Sequence, residues 1–401
     1  MKILVLSPKP PWPSHDGGAV ATMRCVEGLV EAGAEVSLLA MRTWKHGQPR
    51  ETEQFKPAYL KHYVTVDVNT RIRPLKMLGN LLFSDEPYDL ARFRSNLFSE
   101  ALRSHITADY DIIQCEGLLF ALYLDEIKKI TSSPVVLRAH NTEHRIREMM
   151  AENSGSRIRR AYLENLAGRL LSMETDAARM FDAIVPISEP DSIWFSAVPG
   201  GKPVYLSEAG TDVAERLAEP DGSSPGVGFI GSLNWQPNLD GLKWFLKHVW
   251  PHVLKTVPCA TMHIAGRGAP ASAKRWLKGE KVSFEGEVDD ARSFMASMNV
   301  IIAPLFSGSG LRIKIIEAMS IGRTVVATPV AVRGLPAVDR RDLFVADDPE
   351  SFCTALTEVL KDPSLRASTG EAAVTLVRER YDNRAITSGL LEFYKELIHG
   401  R

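Results

Sequence analysis

Short apolar, β-branched runs alternate with longer stretches of helical spacing along most of this chain. That alternation predicts parallel sheets covered by helices. Ile3–Leu6 and Glu35–Ala40 read as strands. Between them, Ala19–Ala32 is amphipathic, with Ala19, Met23, Val26 and Val30 on one face and Gly33 as a C-terminal stop. Asp111–Gln114, Val135–Leu137 and Ala183–Ile187 continue the strand series. Arg157–Phe181 carries Ile158, Tyr162, Leu166, Leu170, Ala177 and Phe181 at helical spacing and reads as one long helix. Arg42–Asp111 shows no comparable pattern.

Composition shifts near Glu208–Gly228, where Gly, Pro, Ser and Asp gather as they do in an interdomain linker. A second series follows, with strands at Val227–Ile230, Thr261–Ala265, Val282–Phe284, Val300–Ala303, Thr324–Ala327 and Leu343–Val345. Helical stretches lie between most of them: Pro237–Val249, Ala271–Lys278, Ala291–Met298 and Leu311–Ile321. The expected class is α/β, with two doubly wound units of similar size, residues 1–207 and 208–380, and a helical tail over 381–401.

The chain has 401 residues, 45% hydrophobic and 24% charged, as expected of a soluble protein of two or three domains. A net charge of −1 gives no bulk electrostatic case for a nucleic-acid partner. Cys25, Cys115, Cys259 and Cys353 are widely spaced, which points to a reducing compartment and away from a structural zinc site. Met1–Leu6 is too short for a signal-peptide core, and no apolar run reaches membrane length, so the expected location is the cytoplasm. Two basic stretches bear on that location. Arg157, Arg159, Arg160 and Arg169 crowd one helix, and Arg71, Arg73 and Lys76 adjoin the apolar Met77–Phe83. They read either as core-facing helices with solvated basic sides or as a peripheral contact with the inner face of a membrane.

Candidate chemistry gathers where strands end. Val300–Ala303 is followed by the loop Ser307, Gly308, Ser309, Gly310 and then a helix beginning at Leu311, with Arg312 and Lys314 expected in its first turn. A helix N-terminus favours anions, so cations there make sense beneath a phosphate. The plainer reading is an exposed Arg312, a Lys314–Glu317 surface pair and a loop that only turns the chain. Asp16-Gly17-Gly18 places flexible backbone at another helix start, either as a cap or as an anion or sugar contact. The loop before it is too long and proline-rich for a dinucleotide fingerprint. Val135–Leu137 runs into Arg138, His140, Asn141 and Glu143, polar residues at the strand end where open α/β sheets bind ligands.

Several of these segments together resemble the family 4 glycosyltransferases. Phe229-Ile230-Gly231-Ser232-Leu233-Asn234-Trp235-Gln236-Pro237-Asn238 is similar to the opening of their donor domain. His263-Ile264-Ala265-Gly266-Arg267-Gly268 is similar to its second strand and glycine turn, and Val282–Val288 to its base-binding loop. Gly308-Ser309-Gly310 through Glu317-Ala318-Met319 resembles the nucleotide-sugar motif. The likeness is close across Val227–Leu335 and weaker over the first half, at Asp16-Gly17-Gly18, His140–Glu143, Pro186–Glu189 and Gly210–Asp212.

The resemblance implies a GT-B fold, two Rossmann-like domains facing across a cleft, whose last helix returns to the N-terminal domain. It implies a metal-independent, retaining enzyme with no cofactor, taking a UDP- or GDP-linked sugar and a glycan, lipid-linked or small-molecule acceptor, in polysaccharide or glycoconjugate biosynthesis. A nucleotide-sugar-binding protein without turnover, or a sugar-nucleotide epimerase, is the alternative. His140, Arg312 and Lys314 would be catalytic. The nucleotide sugar would lie on Gly17, Gly18, Gly231, Asn234, Arg267, Gly286, Val288, Ser307, Gly308, Ser309, Gly310, Leu311 and Glu317. Glu116, Asn141 and Glu143 would face the acceptor. His140 also has a plainer reading as a structural histidine hydrogen-bonded at a strand end. One departure stands out: many members carry a glutamate where this chain has Ser309.

Overall fold

The computed structural model describes residues 1–13, 17–44, 57–107, 109–152, 154–213, 217, 224–307 and 312–400. The chain divides into two compact units, Met1–Gly210 with Asn383–Arg401, and Thr211–Asp382.

The first unit holds a six-stranded parallel sheet: β1 (Lys2–Ser7), β2 (Glu35–Arg42), β3 (Tyr63–Asp67), β4 (Ile112–Glu116), β5 (Val135–Ala139) and β6 (Ala183–Pro186). Their order is β3-β2-β1-β4-β5-β6, so the chain reverses its direction of travel between β1 and β4. β1, β4, β5 and β6 are almost wholly buried, as continuous apolar runs with helices on both faces should be. The helix Arg157–Met180 buries Leu163, Leu166, Ala167, Leu170, Ala177 and Ala178 and is core-facing. Two of its arginines cap other helices: Arg160 reaches the carbonyls of Ala151 and Glu152, and Arg169 those of Asn80 and Leu81.

The final helix, Asn383–His399, packs on the first unit. Leu390, Leu391 and Tyr394 join Ile3, Val5, Val26 and Leu29 in one apolar cluster. Gly28 permits the approach, since a Cβ there would lie 2.5 Å from Thr387 Oγ1. Asn383 Nδ2 donates to the Arg24 carbonyl at 2.8 Å, and Arg384 pairs with Glu31 at 3.1 Å.

The second unit repeats the architecture with β7 (Gly226–Ile230), β8 (Thr261–Ala265), β9 (Val282–Gly286), β10 (Val300–Ala303), β11 (Thr324–Ala327) and β12 (Phe344–Val345), in the order β12-β11-β10-β7-β8-β9. Here the reversal falls between β7 and β10. Two expectations shift. The helix after β10 is Ile313–Ser320, so Arg312 is its N-cap residue rather than part of its first turn. The region 42–111 holds β3 and the helices Pro74–Phe83, Tyr88–Ala91 and Asn96–His105.

Candidate active site

Each sheet gathers polar side chains at the C-terminal edge of its strands, beside the point where strand order reverses. Ligands bind there in doubly wound sheets. In the second unit the loops after β7 and β10 meet. The helix Gln236–His248 sits so close to the β10 loop that a Cβ on Gly241 would lie 1.8 Å from the Pro304 carbonyl oxygen. Thr328, just past β11, anchors the same loop by donating its hydroxyl to the Leu305 carbonyl.

Arg312 joins the two loops: its Cζ lies 5.3 Å from the centre of the Trp235 ring, a cation–π contact. Burial pushes its pKa down to about 10, and the charge on Arg333 adds to the effect. The guanidinium is still charged at neutral pH, but its charge is disfavoured where it stands. An anion placed beside it relieves both penalties. Lys314 pairs with Glu317 at 3.0 Å, the surface pair that spacing had suggested.

Around them, Gly231 donates its N–H to the Ala265 carbonyl at 3.1 Å, so that group is committed to the fold. The residue matters for its lack of bulk, because Asn238 folds over it and donates to the Ser232 carbonyl at 2.8 Å. Asn234 is exposed and accepts from the Ser232 hydroxyl at 2.9 Å. Arg267 is half-buried, and among the described residues its Nε has no hydrogen-bond partner. Gly286 closes β9 at a φ of 76°, a left-handed conformation that favours glycine, and its carbonyl accepts from Gly266. Val288 packs into the apolar cluster of Phe294 and Ile301, while Ser307 is half-buried. Gly308, Ser309, Gly310 and Leu311 lie outside the described residues.

In the first unit, Gly17 and Gly18 open the helix Gly17–Glu31 that follows β1. Beside them stands a buried polar cluster centred on Glu116, the last residue of β4. The parallel register sets Glu116 directly against Arg138 of β5, and the two form an ion pair of 3.1 Å with both side chains inaccessible. Thr22 donates to Glu116 Oε2 at 2.8 Å, Gln114 donates to Oε1, and His140 Nε2 lies 2.6 Å from Oε2. Burial alone would raise the Glu116 pKa. Arg138 first, then His140 and Gln114, overcome it and bring it down to about 2.

An ionised Glu116 can only accept, so His140 carries its proton on Nε2. Among the described residues, Nδ1 makes no hydrogen bond. The cluster reaches the final helix, where the Tyr394 hydroxyl donates to Gln114 Oε1 at 2.8 Å. The resemblance implied that Glu116 faces the acceptor; its side chain is instead buried. It is buried behind His140 and orients it.

The turn from Asn141 to His144 is held by two further buried carboxylates. Asp191 accepts from the Thr142 backbone at 3.0 Å, and Glu174 accepts from the backbone of Glu143 and His144. Burial pushes the Glu143 pKa up to about 7; Arg147 pulls against it, and Glu174, Asp89 and Asp191 add to the rise. Asn141 is half-buried beside it. Among the described residues, no group of three or more His, Cys, Asp or Glu side chains is placed to hold a metal ion.

Sequence alone gave no role to Trp235, Gln114, Thr22 or Tyr394, and it placed Arg138 at a ligand-binding strand end rather than in a buried ion pair. Gln114 and Arg138 carried a signal, as polar side chains within buried strands that open on Ile112-Ile113 and Val135-Val136-Leu137.

Residues 224–362 match the family model described as glycosyl transferases group 1. The chain is 23% identical to an uncharacterized 44.6 kDa protein in the cps region of Klebsiella pneumoniae, over 98% of this chain and 99% of that protein. A stretch of 152 residues is 32% identical to the phosphatidyl-myo-inositol mannosyltransferase of Mycolicibacterium smegmatis, covering 36% of this chain and 39% of that protein. Among solved structures, the sucrose-phosphate synthase of Thermosynechococcus elongatus superposes with a TM-score of 0.71 at 16% identity, over 100% of both chains. Anabaena Alr3699/HepE in complex with UDP-glucose superposes with a TM-score of 0.64 at 15% identity, over 99% of this chain and 100% of that one. The paired six-stranded parallel sheets are those of the GT-B fold, and within the second unit residues 224–362 match the glycosyl transferases group 1 model.

Proposed function

We propose that the protein is a retaining, metal-independent glycosyltransferase. It moves a sugar from a UDP- or GDP-linked donor to a glycan or lipid-linked acceptor in polysaccharide or glycoconjugate biosynthesis. The observation that carries this reading is Arg312: a half-buried cation stacked on Trp235, at the strand-order reversal of the matched domain. Relatives support the substrate classes. One lies in a cps region, others are mannosyltransferases named for a phosphatidyl-inositol lipid, and a structural neighbour holds UDP-glucose.

In the transfer, the bond between the anomeric carbon and the diphosphate oxygen breaks, and the acceptor oxygen bonds to that carbon on the same face. The departing diphosphate takes the electron pair, and one of its oxygens takes the acceptor proton. Negative charge grows on the diphosphate, so fixed cations lower the barrier. Arg312 supplies one, Lys314 a second when Glu317 turns to the ribose hydroxyls, and Arg267 a third donor. Ser307 and the Gly308–Leu311 loop bring backbone to the phosphates, while Gly286 and Val288 frame the base. His140 accepts a sugar hydroxyl at Nδ1, with Asn141 and Glu143 toward the acceptor.

The test is the purified full chain with a panel of UDP- and GDP-sugars, with and without lipid or glycan acceptors, in the presence of EDTA. One donor is expected to release nucleoside diphosphate faster when acceptor is present. Binding without release under every condition marks a non-catalytic protein, and an epimerised nucleotide sugar marks an epimerase; either outcome overturns the proposal. Loss of activity in EDTA overturns its metal-independent part.

His140→Ala separates chemistry from binding. One hydrogen bond made in the transition state is worth ~1–3 kcal/mol, so turnover is expected to fall roughly ten- to a hundred-fold. Nucleoside diphosphate affinity and melting temperature should stay near wild type, because Glu116 keeps Arg138, Thr22 and Gln114. Unfolding, or wild-type turnover, would instead make His140 structural.

A further inference from the structure

The helix Pro74–Phe83 is built the wrong way round for a soluble core. Its sequence is half apolar, yet none of its residues is buried. Leu75, Leu78 and Leu82 fall on one stripe at helical spacing and are 85%, 53% and 64% exposed, with Phe83 beyond them at 88%. Ile72, just before the helix, is exposed as well. An amphipathic helix ordinarily turns such a stripe to the core. This one is held from its other side by polar contacts. Arg169 donates to the carbonyls of Asn80 and Leu81, Asn80 donates to the Glu86 carbonyl, and the Tyr88 hydroxyl bonds both the N–H and the carbonyl of Arg73. The fold thus spends its hydrogen bonds on keeping the apolar stripe outward.

The charge around the stripe says what covers it. From Arg71 to Phe83 there are three cations, Arg71, Arg73 and Lys76, and no acidic residue, in a chain whose net charge is −1. Past the stripe, Asp85 is exposed and Glu86 pairs with Arg94. An apolar stripe with a cationic N-terminal end is complementary to a surface that is apolar inside and anionic at its rim, which describes an anionic bilayer. A second copy of the same surface would bring like charges together.

We propose that Pro74–Phe83, with Arg71 and Arg73, is a membrane-docking element that lays its leucine stripe into the headgroup region of an anionic bilayer. The proposal deepens the membrane-linked acceptor reading but does not need transfer to occur, so its test uses neither donor nor acceptor.

Co-sedimentation of the full chain with phosphatidylcholine vesicles containing phosphatidylglycerol should show binding that falls at least tenfold in 0.5 M salt. Binding to vesicles of phosphatidylcholine alone should be at least tenfold weaker than to those containing phosphatidylglycerol. Leu78→Glu with Leu82→Glu should abolish binding, and Arg71→Ala, Arg73→Ala and Lys76→Ala together should weaken it at least tenfold. Both variants should keep the wild-type melting temperature, since the altered side chains touch no core. Absence of vesicle binding by the wild type overturns the proposal, as do equal binding to neutral vesicles and leucine variants that bind normally. A concentration-dependent dimer that the leucine variants dissociate, without vesicle binding, would assign the stripe to a second copy instead.

Discussion

Glu116→Ala is expected to cost about 3–5 kcal/mol of stability, the ordinary result of removing one partner from a buried ion pair. Arg138 is 1% exposed, and its guanidinium would be left without the carboxylate it faces across the sheet. Thr22, Gln114 and His140 would lose their shared acceptor at the same time. Urea unfolding measures the loss; a change within about 1 kcal/mol of zero would mean that Arg138 finds another partner and that the cluster is not cooperative. Glu116→Gln tests the charge separately. It keeps the shape but turns an acceptor into a partial donor beside Arg138, so it should fall between the two.

The same carboxylate contributes to the acid sensitivity of the fold. Its folded pKa, about 2, lies below the ~4.3 of an unfolded glutamate. Its contribution is therefore complete above roughly pH 4.3 and is lost as pH falls toward 2. Glu143 has the opposite sign. Its folded value, about 7, lies above the unfolded one, so what it contributes is complete below pH ~4.3 and fades as pH rises toward 7.

The strands were legible because they are buried on both faces. β1, β4, β5, β7 and β10 start from short apolar runs with glycine, proline or polar residues at their ends. β3 was missed for the converse reason. It is an edge strand, half-exposed along Tyr63–Asp67, and its alternating residues carry no hydrophobic run. Met77–Phe83 was legible as an apolar segment beside Arg71, Arg73 and Lys76, but the pattern alone left open whether its apolar side met the core. The Glu116 cluster depends on register, and register is not written in the sequence. Glu116 and Arg138 are 22 residues apart and meet only because β4 and β5 pair in parallel at that offset. Tyr394 reaches Gln114 from 280 residues away. The nucleotide-sugar segment was legible as a motif, but its geometry was not. Arg312 lies outside the helix it was assigned to and stacks on Trp235, which belongs to the separate segment that follows β7.

That placement ranks the two cations. A charged hydrogen bond is worth about 1.5–3 kcal/mol, so Arg312→Ala should weaken binding of UDP or GDP by roughly ten- to a hundred-fold. Lys314→Ala should cost less. Lys314 is 38% exposed and already paired with Glu317, so turning to a phosphate trades one partner for another in partly solvated surroundings. Arg312→Lys is informative between them. It keeps the charge, but it loses the planar fork that can hold two phosphate oxygens and lie flat on Trp235, so its affinity should be intermediate. Removing a cation that burial and Arg333 both disfavour should leave the melting temperature of the free protein unchanged or higher. Calorimetric titration with each nucleotide, alongside thermal unfolding, reads both quantities. If the two alanine variants bind nucleoside diphosphate as tightly as the wild type, the anion site is elsewhere. If Arg312→Ala melts lower and binds normally, the guanidinium is a strut between the β7 and β10 loops rather than a ligand for phosphate.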